Sequence, residues 1–201
     1  MKKVEKWVLG SWLLVLGSCF LFLTSCDSDN DYAPKPSGYF RISFPEKKYK
    51  LYDTLCPFTF EYPVYANVIP DKDRTAEPCW LNIDFLQLNG RIHFSYKPVN
   101  NNLNVYLNDA YELVSKHQVK ASGINEMLIR NDTAKVYGTA YSIKGNAASA
   151  LQFYITDSTK HFVRGALYFN TASNGDSLAP VVDFITQDVH HFLNSFRWKQ
   201  Q

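Results

Sequence analysis

Little in this chain of 201 residues favours one sign of charge: 21 Lys and Arg face 19 Asp and Glu, a formal net charge of +2. Without a basic excess there is nothing to neutralise a run of phosphates, which excludes a general nucleic-acid binder. Hydrophobic residues make up 46% of the chain, which excludes a disordered polymer as well. The glycine patterns that cradle nucleotides are missing; Lys144-Gly145-Asn146-Ala147 lacks the further glycines and lysine. No serine stands in G-x-S-x-G, and no C-x-x-C or H-E-x-x-H spacing offers a metal site. No catalytic residue, cofactor or metal is therefore expected, and the chain is not expected to be an enzyme. Past Gly38 there is no second linker, internal repeat or low-complexity tract, so one domain should follow.

The charge bias that does exist sits at the start. Lys2, Lys3 and Lys6, opposed only by Glu5, precede seventeen uncharged residues from Trp7 to Leu23. As a helix that run is about 25 Å long, short of the roughly 30 Å hydrocarbon core. Leu23-Thr24-Ser25-Cys26 then places an apolar residue and two small ones before a cysteine, the pattern of a lipobox. The small residues let the backbone fit a peptidase cleft, and the thiol forms the thioether to diacylglycerol. Residues 1–25 thus read as a lipoprotein signal peptide, and Cys26 as the lipidated first residue of the mature chain. A transmembrane helix that happens to end in cysteine is the competing explanation. At about 0.8 kcal/mol per buried methylene, two or three acyl chains of the palmitate kind anchor far more firmly than one. Removing three Lys and one Glu with the signal leaves 18 basic and 18 acidic residues on 176. Residues 26–38, with Asp27, Asp29 and Asp31 followed by Pro34, Pro36 and Gly38, carry no apolar period and read as a flexible tether. Residues 39–201 form the expected domain, held at the cell envelope and facing the periplasm, with the outer membrane favoured over the inner.

Of four cysteines, Cys19 leaves with the signal and Cys26 carries lipid. Cys56 and Cys79 remain, and outside the cytoplasm such a pair is expected to be oxidised. Two buried thiols, or half a metal site helped by His93, are the alternatives.

Alternation and turn chemistry set the expected elements. Phe58-Thr59-Phe60-Glu61-Tyr62 alternates as a strand, and Trp80–Phe85 with Arg91–Tyr96 reads as a hairpin turning at Asn89-Gly90. Leu103, Tyr106, Leu107, Ala110, Leu113, Val114 and His117 recur at helical spacing, with Asn101 or Asn102 as cap. Strands follow near 124–130, 135–143, 150–156 and 161–169. A last helix carries Leu178, Val181, Val182, Ile185, Val189, Phe192, Leu193 and Phe196 on one stripe, capped by Asp176 or Ser177, with Pro180 tolerable in the first turn only. This order predicts an α+β domain, a largely antiparallel sheet covered by two main helices, similar to the PsbP/Mog1-like sandwich.

Several residues invite a chemical role. His190 and His191 point about 100° apart on a helix and cannot easily share an ion; a bond to Asp188 or packing on Phe184 accounts for His191 as well. His93 and Ser95 share a strand face with no third partner evident. Asp84, Asp157, Asp176, Asp183 and Asp188 could converge as paired carboxylates, but spacing selects no pair. The 31 aromatic residues include 13 tyrosines, whose hydroxyls favour a wet edge, so part of the set can serve as a contact surface. Tyr39 and Arg41 at the end of the tether, and Tyr96 and Lys97 at the end of a strand, are the candidate partner contacts; packing onto the domain is the alternative for the first segment.

Long strings of the chain carry a family resemblance. Pro34-Lys35-Pro36-Ser37-Gly38-Tyr39-Phe40-Arg41-Ile42, Cys56-Pro57-Phe58, Cys79-Trp80-Leu81-Asn82-Ile83, Ile92-His93-Phe94-Ser95-Tyr96-Lys97, His161-Phe162-Val163-Arg164-Gly165-Ala166 and Phe196-Arg197-Trp198 resemble the GldD gliding-motility lipoproteins. The resemblance implies a lipid-anchored accessory of the bacterial gliding apparatus linked to type IX secretion, with no catalytic residue to carry over. It implies partners among the gliding and secretion proteins, besides the membrane. A ligand-binding or carrier module for a lipid, glycan or peptide is the alternative function; a pocket lined by Tyr and Phe would mark it. The lipobox reading predicts that Cys26→Ala leaves an unprocessed precursor without fatty-acid label; unchanged metabolic labelling with a fatty-acid probe would refute it.

Overall fold

The computed structural model describes residues 42–171 and 175–199. The signal segment, Cys26, the tether, Tyr39 and Arg41 lie outside the described residues, as does the side chain of Asp176. Contacts gather Arg41–Gln201 into one unit.

Among the described residues ten strands and two α-helices follow in order: β1 (Tyr49–Asp53), β2 (Phe58–Pro63), β3 (Asn67–Pro70), β4 (Leu81–Phe85), β5 (Gly90–Pro98), α1 (Leu103–Ser115), β6 (Ala121–Asn131), β7 (Val136–Gly145), β8 (Ser149–Thr156), β9 (His161–Phe169), α2 (Gly175–Ser195) and β10 (Arg197–Trp198). Seven strands form one sheet in the order β3-β4-β5-β9-β8-β7-β6, and β1-β2-β10 form a small second sheet. Every pairing is antiparallel, so the fold is α+β as the pattern of elements implies. No helix among the described residues is long and apolar enough to cross a membrane.

Strand alternation divides the apolar side chains between two faces of the large sheet. Val163 faces the main core, whereas its neighbour Phe162 joins Val99 and Ala110 of a separate cluster under α1. The main core lies between the large sheet on one side and α2 with the small sheet on the other. Its centre is aromatic: Phe58 and Phe60 of β2 meet Phe94 of β5 at 5.3 and 6.0 Å between ring centroids, and Phe192 of α2 and Phe196 just after it at 4.7 to 6.4 Å. Phe196 stacks on both β2 rings, and the other contacts are tilted or edge-on, as suits rings with a negative face and a positive rim. Gly165 admits this packing, because a Cβ there would stand 2.2 Å from the Phe153 ring.

Several local expectations need correction. The β4–β5 hairpin forms, but Leu86-Gln87-Leu88 wind a single 3-10 turn, Asn89 takes the left-handed conformation (φ 50°), and Gly90 already pairs with Phe85. Asn102 precedes α1 without capping it through its side chain. Its carbonyl oxygen accepts from the Asn100 N–H at 2.8 Å, and its amide donates to the Tyr106 hydroxyl at 3.0 Å. At α2 the first turn begins before the expected caps, and the Gly175 N–H finds Asn146 Oδ1 at 3.0 Å. Pro180 is therefore the sixth helical residue, past the first turn, where it removes a backbone donor and crowds the carbonyl four residues back. Burial of Val181, Ile185, Val189, Phe192 and Leu193 on one stripe outweighs that cost.

The disulfide is present. Cys56 and Cys79, with Cα atoms 5.7 Å apart, join the β1–β2 connection to the one before β4. Because this bridge closes a loop of about 24 residues, the double variant Cys56→Ser, Cys79→Ser should lose about 3 kcal/mol in urea denaturation.

Candidate functional site

Three places hold the chemistry of the domain. The first is a buried carboxylate. Asp188 stands three residues after Ile185 and four before Phe192, on the inward stripe of α2, and is 1% exposed. A buried carboxylate is costly unless donors surround it. Lys47 Nζ donates to its Oδ1 at 2.7 Å, Tyr49 to the same oxygen at 3.0 Å, and Tyr65 to Oδ2 at 2.6 Å. Lys47 also donates to the Phe184 carbonyl and lies 3.5 Å above the centre of the Phe184 ring, on which Phe44 stacks at 4.3 Å. Phe44 and Lys47, just beyond the candidate contacts Tyr39 and Arg41, therefore pack on the domain. Burial, then the hydrogen bond to Asp188 and its charge, push the Tyr49 hydroxyl up to about 12; the same causes raise Tyr65 further.

His191 does not meet Asp188. It stacks on Tyr49 at 3.6 Å and meets Glu61 Oε2 through Nε2 at 2.6 Å, an ion pair when the imidazole is protonated. His190 is exposed on the far side of the helix. The signal that could have found this cluster is an acidic residue on an apolar helical stripe; its partners, more than 120 residues away, carry no local signal.

The second place is the disulfide end. The Tyr96 hydroxyl meets His161 Nδ1 at 2.9 Å, and His161 stacks on Trp198 at 5.0 Å. Lys97 pairs with Glu77 and lies over the Trp80 ring, while Trp80 Nε1 donates to the Tyr96 carbonyl at 2.9 Å. Both strand-end candidates are thus engaged within the domain. Asp157 accepts the N–H groups of Thr159, Lys160 and His161; burial raises its pKa, and these bonds outweigh it to leave the carboxyl below its usual range.

The third is the polar half of the large sheet on the α1 side. Asp84, buried on β4, takes a bidentate bond from Arg91 at 2.5 and 2.9 Å. His93 lies edge-on to Tyr168 at 5.7 Å, and burial, more than the nearby Arg91 charge, lowers its pKa. Ser95 Oγ reaches only the Arg164 carbonyl, at 3.5 Å, and forms no nucleophile with His93. Asn82 and Gln152 each leave one buried side-chain atom, Oδ1 and Nε2, without a partner. Among the described residues no three His, Cys, Asp or Glu gather in a metal-binding group. Asp84, Asp157 and Asp188 each keep separate partners, and Asp183 is exposed.

Most aromatic side chains fill the core. The large hydrophobic residues left exposed among the described ones are chiefly aliphatic, including Leu55, Val119 and Leu128, with Tyr111 the aromatic exception.

A family model described as gliding motility lipoprotein GldD matches residues 29–198. The solution structure of cyanobacterial PsbP (CyanoP) from Synechocystis sp. PCC 6803 is similar, with a TM-score of 0.44 and 13% identity over 79% of this chain and 97% of that one. At that score the likeness adds nothing to the strand order already described. No curated relative matches the chain.

Asp188→Asn leaves Lys47 without its counter-charge and weakens two tyrosine bonds, so it should cost about 2 kcal/mol in urea denaturation, the lysine being a quarter exposed. The tyrosines stay protonated in the fold where they ionise in the unfolded chain. Their contribution is complete below about pH 10 and is lost as pH rises towards 12, a slope that Asp188→Asn should flatten.

Proposed function

The chain belongs to the gliding motility lipoprotein GldD family, and from that membership we propose an accessory of the gliding machinery linked to type IX secretion, acting by protein contacts and without chemistry of its own. As a lipoprotein it is anchored at the cell envelope; the proposed placement is the periplasmic side of the outer membrane. One observation carries the reading against a carrier module: the core beside Asp188 is filled, and the space of about 400 Å³ farther along between the large sheet and α2, beside Ile143, Lys144, Leu178 and Val182, holds a single aromatic, Phe169. Beside Asp188, Tyr62, Phe85, Phe153 and Phe192 leave a void of only about 10 Å³, room for one water at most. A larger space of about 540 Å³, between α1 and strands β6 and β7, is an open groove lined by Leu103, Leu107, Leu128 and Tyr154. With the exposed aliphatic residues it offers contact area rather than enclosure.

Deletion of the gene should abolish spreading on surfaces and reduce secretion of surface adhesins, with rescue by the wild-type chain. In-cell crosslinking and mass spectrometry should recover gliding or secretion proteins; intact motility in a clean deletion would overturn the proposal.

A further inference from the structure

The large sheet is unevenly charged. Strands β5, β9, β8 and β7 lie side by side at its centre, and none contains Asp or Glu, while they carry Arg91, Lys97, Lys144 and Arg164. Arg91 takes Asp84 and Lys97 takes Glu77 from neighbouring segments. Arg164 has no such counter-charge: none of the ion pairs among the described residues includes it. Its hydrogen bonds go to neutral acceptors, Gln152 Oε1 at 2.6 Å and the Tyr168 hydroxyl.

A guanidinium withdrawn from water and unpaired is a costly arrangement. Burial is the main influence on Arg164 and holds its pKa below the usual range. Beside it Gln152 is 1% exposed, and because Oε1 already faces the guanidinium, Nε2 is left as a donor with no acceptor. The turn after α1 lies beside this region through His117. His117 there is half-buried, and burial together with the Arg164 charge lowers its pKa. Lys116 and Lys120 flank it in sequence and are exposed, and the Lys120 carbonyl accepts from the Asn146 N–H at 3.2 Å. Arg164, the Gln152 amide and His117 of this turn thus lie together, and β8 and β9 supply no acid.

We propose that this face, between β8, β9 and the turn at 116–120, binds an oxyanion, a carboxylate or phosphate group, with Arg164 and the Gln152 amide as its principal donors. The planar guanidinium fork matches two oxygens of either group, and Gln152 Nε2 would gain the acceptor it lacks. The site stands apart from the proposed place in gliding, and either can fail alone.

The test uses the processed lipoprotein in a maltoside detergent, with thermal unfolding followed in chloride, acetate and inorganic phosphate at equal ionic strength. Acetate or phosphate should raise the midpoint over chloride by several degrees, and Arg164→Met should abolish the difference. A shift with phosphate alone assigns a phosphate-bearing ligand, a shift with acetate alone a carboxylate, and equal shifts a site that accepts either oxyanion. Should Arg164→Met fail to fold, phenylglyoxal modification of Arg164 in the wild type, read by mass spectrometry, provides the check: the same oxyanion should slow it several-fold. Equal midpoints in all three salts, or an oxyanion shift retained by a folded Arg164→Met, would overturn the site. Equal modification rates in the three salts would overturn it as well.

Discussion

The carboxylate of Asp188 constrains more of this structure than any other single group. Buried on α2, it needs donors, and these come from the segment ahead of β1 through Lys47, from the start of β1 through Tyr49 and from the β2–β3 turn through Tyr65. Helix, strap and turn therefore cannot be placed independently. The Phe44–Phe184 stack and the lysine above the same ring surround the charges with apolar surface, which strengthens each bond by lowering the local dielectric. The strap is thereby fastened to the middle of α2 through Lys47, which bonds both Asp188 and the Phe184 carbonyl.

Neutral overall charge conceals a segregated one. Carboxylates occupy the outer strands, the turns and the helices, whereas the four central strands carry only cations. Asp84 and Glu77 reach inward from neighbouring segments to neutralise two of them. Arg164 is left with neutral partners, and so the polar half of the sheet has an electrostatic character that composition does not reveal.

The longer strands and both helices were legible because their alternation or 3.6-residue spacing is strong. The strands β1, β3 and β10 were not. Arg197-Trp198 has only two residues, and Asn67–Pro70 and Tyr49–Asp53 lack a clean alternation; each exists because a neighbour supplies hydrogen bonds. Local rules also failed at element ends. Asn102 serves the loop before α1 instead of the helix, and Pro180 is held inside α2 by packing of the stripe around it. His191 had two adequate local partners, yet it turns to Tyr49 and Glu61, more than 120 residues earlier. The aromatic residues were visible as a supply, but their distribution between surface and core depends on which face of which sheet meets α2.

The sequence by itself determined the lipobox at Cys26, the α+β order of elements and the family strings, because these depend on neighbouring residues or on short periods. The pairing of Cys56 with Cys79 was expected from the compartment, and the fold supplies the proximity. Only the tertiary structure decided that Asp188 is a clamp, that Tyr96 and Lys97 are engaged within the domain, and that Arg164 lacks an acid. Those outcomes turn on solvation and on partners far apart in the chain, and the free energy of a buried charge is set by what surrounds it in space.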